Sequence, residues 1–463
     1  MITKNLAKEV LNVCLSTGAD FSEIFLEETV TNSITCDNGV IETITSNTIF
    51  GAGIRLISGL KSVYGHTNDV TRKGLLALAS SLKDSFNGER IKECDPIKKL
   101  RFTKKHDPKI PYSTYSKEEI IELLKKANNA MRIDERIVRT VTGINYSTQN
   151  IHIFNSDGLE VEDTRVRGRM QLHAVAKDEN GIETAGENPG AQEGMEFFLN
   201  ETDVLDAARK AAEKAIVMLG AKECPSGKMP VVIGNGFGGV IFHEACGHSL
   251  EATSVSKNLS VFSNMIGKQI ASSIVTAVDD GTIPGGWGSG NVDDEGNRCT
   301  RNVLIKNGIL TSYMVDPFNG RRMNAKQTGC SRRQSYKFEP TSRMTNTFIL
   351  PGTSTVEEII TSVKKGLYAK SLGGGSVNPT TGEFNFAADE AYMIEDGKIT
   401  YPVKGATLIG SGSEVLMKID MIANDLKRAQ GMCGSSSGSI PTDVGQPTIR
   451  VSEITVGGRG GKL

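Results

Sequence analysis

The sequence predicts an α+β protein. Its N-terminal half reads as helix–β-meander–helix units, and its C-terminal half as a strand-rich domain with one conspicuous helix near its start. Three observations carry this. Glycine is abundant, 50 of 463 residues, and proline scarce at 14, against a usual glycine share of about 7%. So many glycines with so few prolines imply tight turns and close backbone approaches. Short β-branched segments closed by Gly, Asn or Asp follow one another, as in a meander. A few longer segments instead carry apolar residues at helical spacing.

In chain order, Leu6, Val10, Leu11, Val13 and Cys14 give residues 3–17 a helical apolar face. FSEIFLEE, SITCDNG, VIETITSNT, GAGIRLISG and KSVYGHT then read as short strands, and a second helix is expected over 70–86. Segment 87–116 is charged and aperiodic and reads as a linker. Its Lys98, Lys99, Arg101, Lys104 and Lys105 form a solvated face. A helix over 117–132 precedes strand-like TVTGINYST, IHIFNSD and RVRGRMQLHAVAKD, and another helix covers 201–219. Helix, meander, helix thus occurs twice, a pseudo-repeat whose meanders pack side by side. The expected units are 1–90, a linker at 91–116, 117–225, and a strand-rich domain at 226–463.

Composition excludes several classes. With 53 basic and 54 acidic residues the formal charge is -1, which gives no electrostatic basis for binding nucleic acid or a membrane surface. No apolar run of 18 residues exists, so no transmembrane helix is expected. The N-terminal segment reads as an amphipathic helix rather than a signal peptide. Eight scattered cysteines read as reduced thiols. A cytoplasmic location is the expectation.

The chemistry concentrates at 229–250, MPVVIGNGFGGVIFHEACGHSL, where two motifs overlap. Gly234, Gly236 and Gly239 form a GxGxxG between a strand and a helix, as a dinucleotide fold requires. That fold also needs an acidic residue about 20 positions on, and none lies between Glu251 and Asp279. The second motif is HExxxH, with His243, Glu244 and His248. On an ideal helix of about 100° per residue, imidazoles five apart diverge by roughly 140°. A π-type bulge brings them together, and such bulges favour functional sites. Gly247 is the natural place for the backbone to adjust. The competing reading is an exposed helix face, but the chain has only six histidines. A catalytic zinc takes three protein ligands and leaves one position open. Candidates for the third are Cys246, Glu251 and a distant residue, of which Cys433, in the Gly/Ser-rich GMCGSSSG, has the strongest claim. Elsewhere, loop 281–296 with Trp287, the single tryptophan, reads as a lid or rim. Asp293-Asp294-Glu295 reads as a solvated turn, and His66, His106, His152 and His173 stand alone.

The sequence resembles the TldD/PmbA family of zinc-dependent metallopeptidases, in its HExxxH-bearing TldD branch. The likeness runs through GADFSEIFLEE, GAGIRLISG, VVIGNGFGGVIFHEACGHSLEA, VDDGTIPGGWGS, SRRQSYKFEPTSRMTNTFI, GATLIGSGSEVL, GMCG and VGQPTIRVSEITVGG. The resemblance implies His243, His248 and Cys433 as ligands of one Zn2+ per chain, and Glu244 as general base. It implies unfolded or extended peptides as substrates, and a hollow homodimer or a heterodimer with a PmbA-type paralogue. Hydrolysis by Glu-assisted attack of zinc-activated water is the main expectation. The alternative is a non-hydrolytic peptide-binding or regulatory subunit whose metal is structural. Tyr313, Arg332, Arg333 and Tyr336 are candidate oxyanion donors, although SRRQSYK also reads as a surface or dimer-contact strand. A sheet edge in the second half is expected to bind an extended peptide.

Overall fold

The computed structural model describes residues 2–179, 181–378 and 381–462. The N-terminal half contains α1 (Lys4–Cys14), β1 (Phe21–Asp37), β2 (Val40–Ser58), β3 (Lys61–Thr67), α2 (Arg72–Lys83), β4 (Lys98–Lys99), α3 (Lys117–Ala130), β5 (Ile137–Asn155), β6 (Leu159–Asp178), β7 (Gly181–Glu187), β8 (Gly190–Ala191) and α4 (Val204–Leu219). The four helices fall where apolar spacing put them. Side-chain caps start all four, and the Ser116–Glu119 capping box at α3 satisfies two orphan backbone donors reciprocally.

The strands are longer than the segment reading anticipated. FSEIFLEE and the SITCD of SITCDNG belong to one 17-residue strand, and VIETITSNT and the GAGIRLIS of GAGIRLISG to one of 19 residues. The Asn38-Gly39 turn joins them with φ of 48° and 83°, the left-handed pair a two-residue hairpin requires. Both meanders enter a single eight-stranded sheet of order β3-β2-β1-β5-β6-β4, with β7 and β8 also on β6.

Side-chain alternation assigns this sheet two roles. Ile24, Leu26, Ile34 and Cys36 of β1 point to the face covered by the helices. Glu23, Phe25 and Glu27 point the other way, toward the C-terminal half. Arg165 and Arg167 of β6 share that second face, where they reach Asp294, Val292, Trp287 and Ser289. The period-2 pattern therefore separates an apolar helical layer from a charged layer facing the site-bearing half.

Loop 281–296 meets that charged layer and corrects two expectations. Asp293, Asp294 and Glu295 are buried, at 3%, 2% and 4% exposure, and are not a solvated turn. Glu295 pairs with the fully buried Arg55, Asp294 with Arg165 at 2.6 Å, and Glu23 with Arg333 at 2.6 Å. Arg332 and Arg333 are likewise buried, with Ser331, Ser335 and Tyr336, so most of SRRQSYK is interior while Gln334 and Lys337 are exposed. Trp287 donates its indole N–H to the Gly431 carbonyl at 3.0 Å, so the loop packs against the strand that carries Gly431. Linker residues also dock: β4 pairs with β6, and His106 is buried.

Glu23, Asp163, Asp294 and Glu295 pair with the guanidiniums of Arg55, Arg165 and Arg333 in this cluster, and Asp293 accepts from the Ser331 N–H at 3.2 Å. Burial outweighs the backbone N–H groups around Asp293 and pushes its pKa up to about 7. A carboxyl raised in the fold binds a proton that the unfolded chain releases, so its contribution to stability falls as pH rises through 7. In chelator-treated protein, the parent is therefore expected to gain about 1 kcal/mol of urea stability relative to Asp293→Asn between pH 8 and 6.5, a comparison that isolates this group from the other titrating residues.

In the C-terminal half, strands Lys365–Val377, Gly227–Ile233, Ile449–Gly457, Thr407–Ser411 and Glu383–Glu395 pair in that order, and the last also pairs with the first, closing a barrel. A six-stranded sheet runs Ile309–Leu310, Arg301–Lys306, Ala277–Asp280, Asn346–Ile349, Gly438–Gln446 and Lys427–Ser435. This mixed, partly closed arrangement is not the open parallel sheet of a dinucleotide fold. The GxGxxG glycines serve packing instead. A Cβ at Gly239 would stand 2.4 Å from the Gly445 backbone, and one at Gly234 2.2 Å from the Lys370 carbonyl.

Candidate metal centre

Strand Gly227–Ile233 feeds a continuous helical segment over 236–250. It opens as a 3-10 turn and ends as one, but its middle, His243–Gly247, is a π turn. The His248 N–H donates to the His243 carbonyl, closing an i to i+5 ring. That extra residue removes the 140° divergence of an ideal helix. The two imidazole centroids lie 5.0 Å apart with their planes at 84°. Gly247 takes ordinary helical angles, φ -53° and ψ -53°, so the backbone does not need its freedom. It needs the space, because a Cβ there would lie 2.2 Å from Met344 Sδ. Gly412 similarly abuts the carbonyl of Ala245.

Cys433 arrives from strand Lys427–Ser435, 185 residues beyond His248 in sequence. Its Sγ lies 3.3 Å from His243 Nε2 and 3.3 Å from His248 Nε2. One donor atom from each of the three residues falls within a 4.8 Å group. Burial acts to raise the Cys433 thiol, but the neighbouring imidazoles overcome it and pull the pKa down to about 4. Burial opposes the charge on His248, yet the Glu251 carboxylate and the Cys433 sulfur hold its pKa well above the usual histidine range. The cluster is thus a thiolate wedged between two imidazoles.

Glu244 is not one of the three converging donors. Its Oε2 lies 3.7 Å from His248 Nε2, and its side chain is the most open of the motif, at 24% exposure. The other candidates lie elsewhere. Cys246 is fully buried in the core, and burial pushes its thiol far up, so it stays an uncharged apolar filler. Glu251 stands behind His248 and accepts from its Nδ1 at 3.2 Å. Tyr313 donates to the Phe262 carbonyl, Arg332 to the Met344 carbonyl and Arg333 to Glu23, while Tyr336 packs against Phe25. All four are committed to structural contacts. His152, read as isolated, instead lies 3.3 Å from Glu160 and 3.5 Å from Glu162, whose carboxylates also pair with Lys4 and Lys99.

The strand carrying Cys433 ends its sheet, yet it is not a free edge along its length. Arg169 donates to the Gln430 carbonyl, Trp287 to that of Gly431 and Arg343 to that of Cys433. It is braced around the thiolate.

Two imidazoles and a thiolate beside the Glu244 carboxylate form a donor set suited to a borderline-soft divalent ion. Comparison with known proteins shows the family. Residues 226–458 match the PmbA/TldA metallopeptidase C-terminal domain, 110–219 the central domain and 22–85 domain 1. A metalloprotease TldD homolog from Haemophilus influenzae is 37% identical over 462 residues, covering 97% of this chain and 95% of that protein. Another from Buchnera aphidicola subsp. Schizaphis graminum is 36% identical over 450 residues, covering 95% and 93%. The crystal structure of TldE from Thermococcus kodakarensis shares the fold, with a TM-score of 0.77 at 19% identity over 97% of this chain and 99% of that one. The chain belongs to the PmbA/TldD metallopeptidase family. No helix among the described residues is long and apolar enough to cross a membrane.

Proposed function

We propose that the protein is a zinc-dependent metallopeptidase that hydrolyses peptide bonds of unfolded or extended peptides, with His243, His248 and Cys433 as the ligands and Glu244 as general base. The observation that carries this reading is the position of Cys433 Sγ, 3.3 Å from the Nε2 atoms of both histidines. The residues present fit the ion: two imidazole nitrogens and a sulfur already held as thiolate match zinc's preference. Three donors leave a coordination position open, as catalytic rather than structural sites do. When bound, zinc supplies Lewis-acid polarisation and lowers the pKa of water from 15.7 toward about 7.

The chain's own residues do the rest. The π turn aims both imidazoles at one point, and Glu251 accepts from His248 Nδ1, leaving Nε2 directed at the cluster. Glu244, next to a ligand in sequence but outside the donor group, takes the proton of the attacking water at its carboxylate. It then delivers that proton to the leaving amine nitrogen as the peptide C–N bond breaks.

Relatives named as metalloproteases support the reaction class. The shared fold with TldE supports pairing with a paralogous subunit of that type, with a homodimer as the other arrangement. Metal analysis is expected to find one zinc per chain in the purified protein, and to find it lost in Cys433→Ser with the fold retained by circular dichroism. Full zinc occupancy in that variant would mean that the third ligand lies elsewhere.

A further inference from the structure

The clamp joins residues far apart in sequence, so something must fix the distance between the helix and the strand. Arg343 occupies that position. Its side chain has 0% exposure, and its guanidinium faces both carriers of the site. On the strand side, Nη2 donates to the Cys433 carbonyl, and Nη1 to Ser437 Oγ and the Gly438 carbonyl, both at 2.9 Å. On the helix side, Nε lies 3.8 Å from Glu251 Oε1, an ion-pair distance without a hydrogen bond, and that carboxylate accepts from His248 Nδ1 through its other oxygen. The adjacent Met344 N–H donates to Glu251 Oε1 at 3.3 Å, and the Met344 side chain fills the space left by Gly247. His243 has no comparable support, since its buried Nδ1 has no hydrogen-bond partner among the described residues.

We propose that Arg343 is a positioning residue: one buried guanidinium holds the main chain of Cys433 and the carboxylate behind His248 in a single frame, setting the spacing of the thiolate and the imidazole. The inference rests on the reading of His243, His248 and Cys433 as a metal site. Geometry makes arginine the required residue. Its planar fork serves several acceptors at fixed angles, whereas a lysine ammonium is a point charge that cannot span both sides. Groups that orient metal ligands in this way typically contribute 10- to 100-fold in metal affinity.

The test uses the full chain, stripped by a chelator and titrated with zinc against a chromophoric competitor, with melting of the metal-free protein measured in parallel. Arg343→Lys and Glu251→Gln are each expected to weaken zinc binding about 10- to 100-fold, while the metal-free melting temperature stays within a few degrees of the parent. The double variant is expected to bind no worse than the weaker single variant, because both act through one frame. Cobalt loading of Arg343→Lys is expected to shift the thiolate-to-metal absorption band. Parental affinity in both single variants, an additive loss in the double, or a loss that only tracks unfolding of the metal-free protein overturns the proposal. Should Arg343→Lys not fold, Glu251→Gln decides by the same affinity measurement. A parent chain that binds no zinc removes the metal reading itself; a parent that binds one ion beside unaffected variants removes only the role of Arg343.

Discussion

Replacing Glu244 by Gln is expected to abolish peptide cleavage while leaving zinc content and folding unchanged. The amide keeps the size of the carboxylate but cannot accept the proton from water or pass it to the leaving amine. General acid–base groups contribute roughly 10^2- to 10^4-fold, and a fall in kcat of that order is the predicted result. Zinc content is preserved because Glu244 is not among the three converging donors. Its side chain is more open than those of His248 and Glu251, so the amide needs no new partner. The measurement is turnover of an unfolded peptide, with and without a paralogous subunit, alongside metal analysis of the same sample. Cleavage at the parental rate would rule out the general-base role.

The second large effect falls on stability. Arg55 lies between Glu23 and Glu295 with 0% side-chain exposure, and both carboxylates are nearly as buried. Arg55→Met removes the guanidinium and leaves two buried acids facing each other. Breaking a buried ion pair from one side costs about 3–5 kcal/mol, and urea unfolding at pH 8 is expected to register that loss. The penalty is expected to shrink at pH 6, because burial, together with the nearby Glu23, Asp316 and Asp293, already raises the Glu295 pKa. A protonated Glu295 no longer needs a cation. A loss under 1 kcal/mol, or one independent of pH, would show that the cluster is not an electrostatic latch between the N-terminal sheet and loop 281–296. That latch matters to the site, because the same loop carries Trp287, which braces the strand of Cys433.

What could be read from the sequence divides along physical lines. Helix positions follow from local spacing and capping, as at Ser116–Glu119, and the Asn38-Gly39 hairpin follows from turn chemistry. The strands of the first sheet came out too short because polar breaks such as TVTN, between FSEIFLEE and SITCD, look like turns when only one chain segment is considered. Pairing with β2 and β5 carries β1 straight through them. The π turn was legible because two histidines at i and i+5 serve one point only on a deformed helix. The role of Gly247 was misjudged because Met344, the atom group it makes room for, lies 97 residues away. Asp293-Asp294-Glu295 looked solvated for the same reason, since Arg55, Arg165 and Arg333 are invisible to any local window. Arg343 leaves no trace in the sequence, because an arginine in SRMTNT has no pattern that separates it from a surface cation.

The central claim is that two imidazoles and one remote thiolate share a single ion. Zinc K-edge X-ray absorption on the metal-loaded protein tests it most directly. The expected shell holds one sulfur at about 2.3 Å and two histidine nitrogens at about 2.0–2.1 Å, with the sulfur contribution absent in Cys433→Ser. A shell of nitrogen and oxygen alone in the parent protein, or one containing two or more sulfurs, would contradict it.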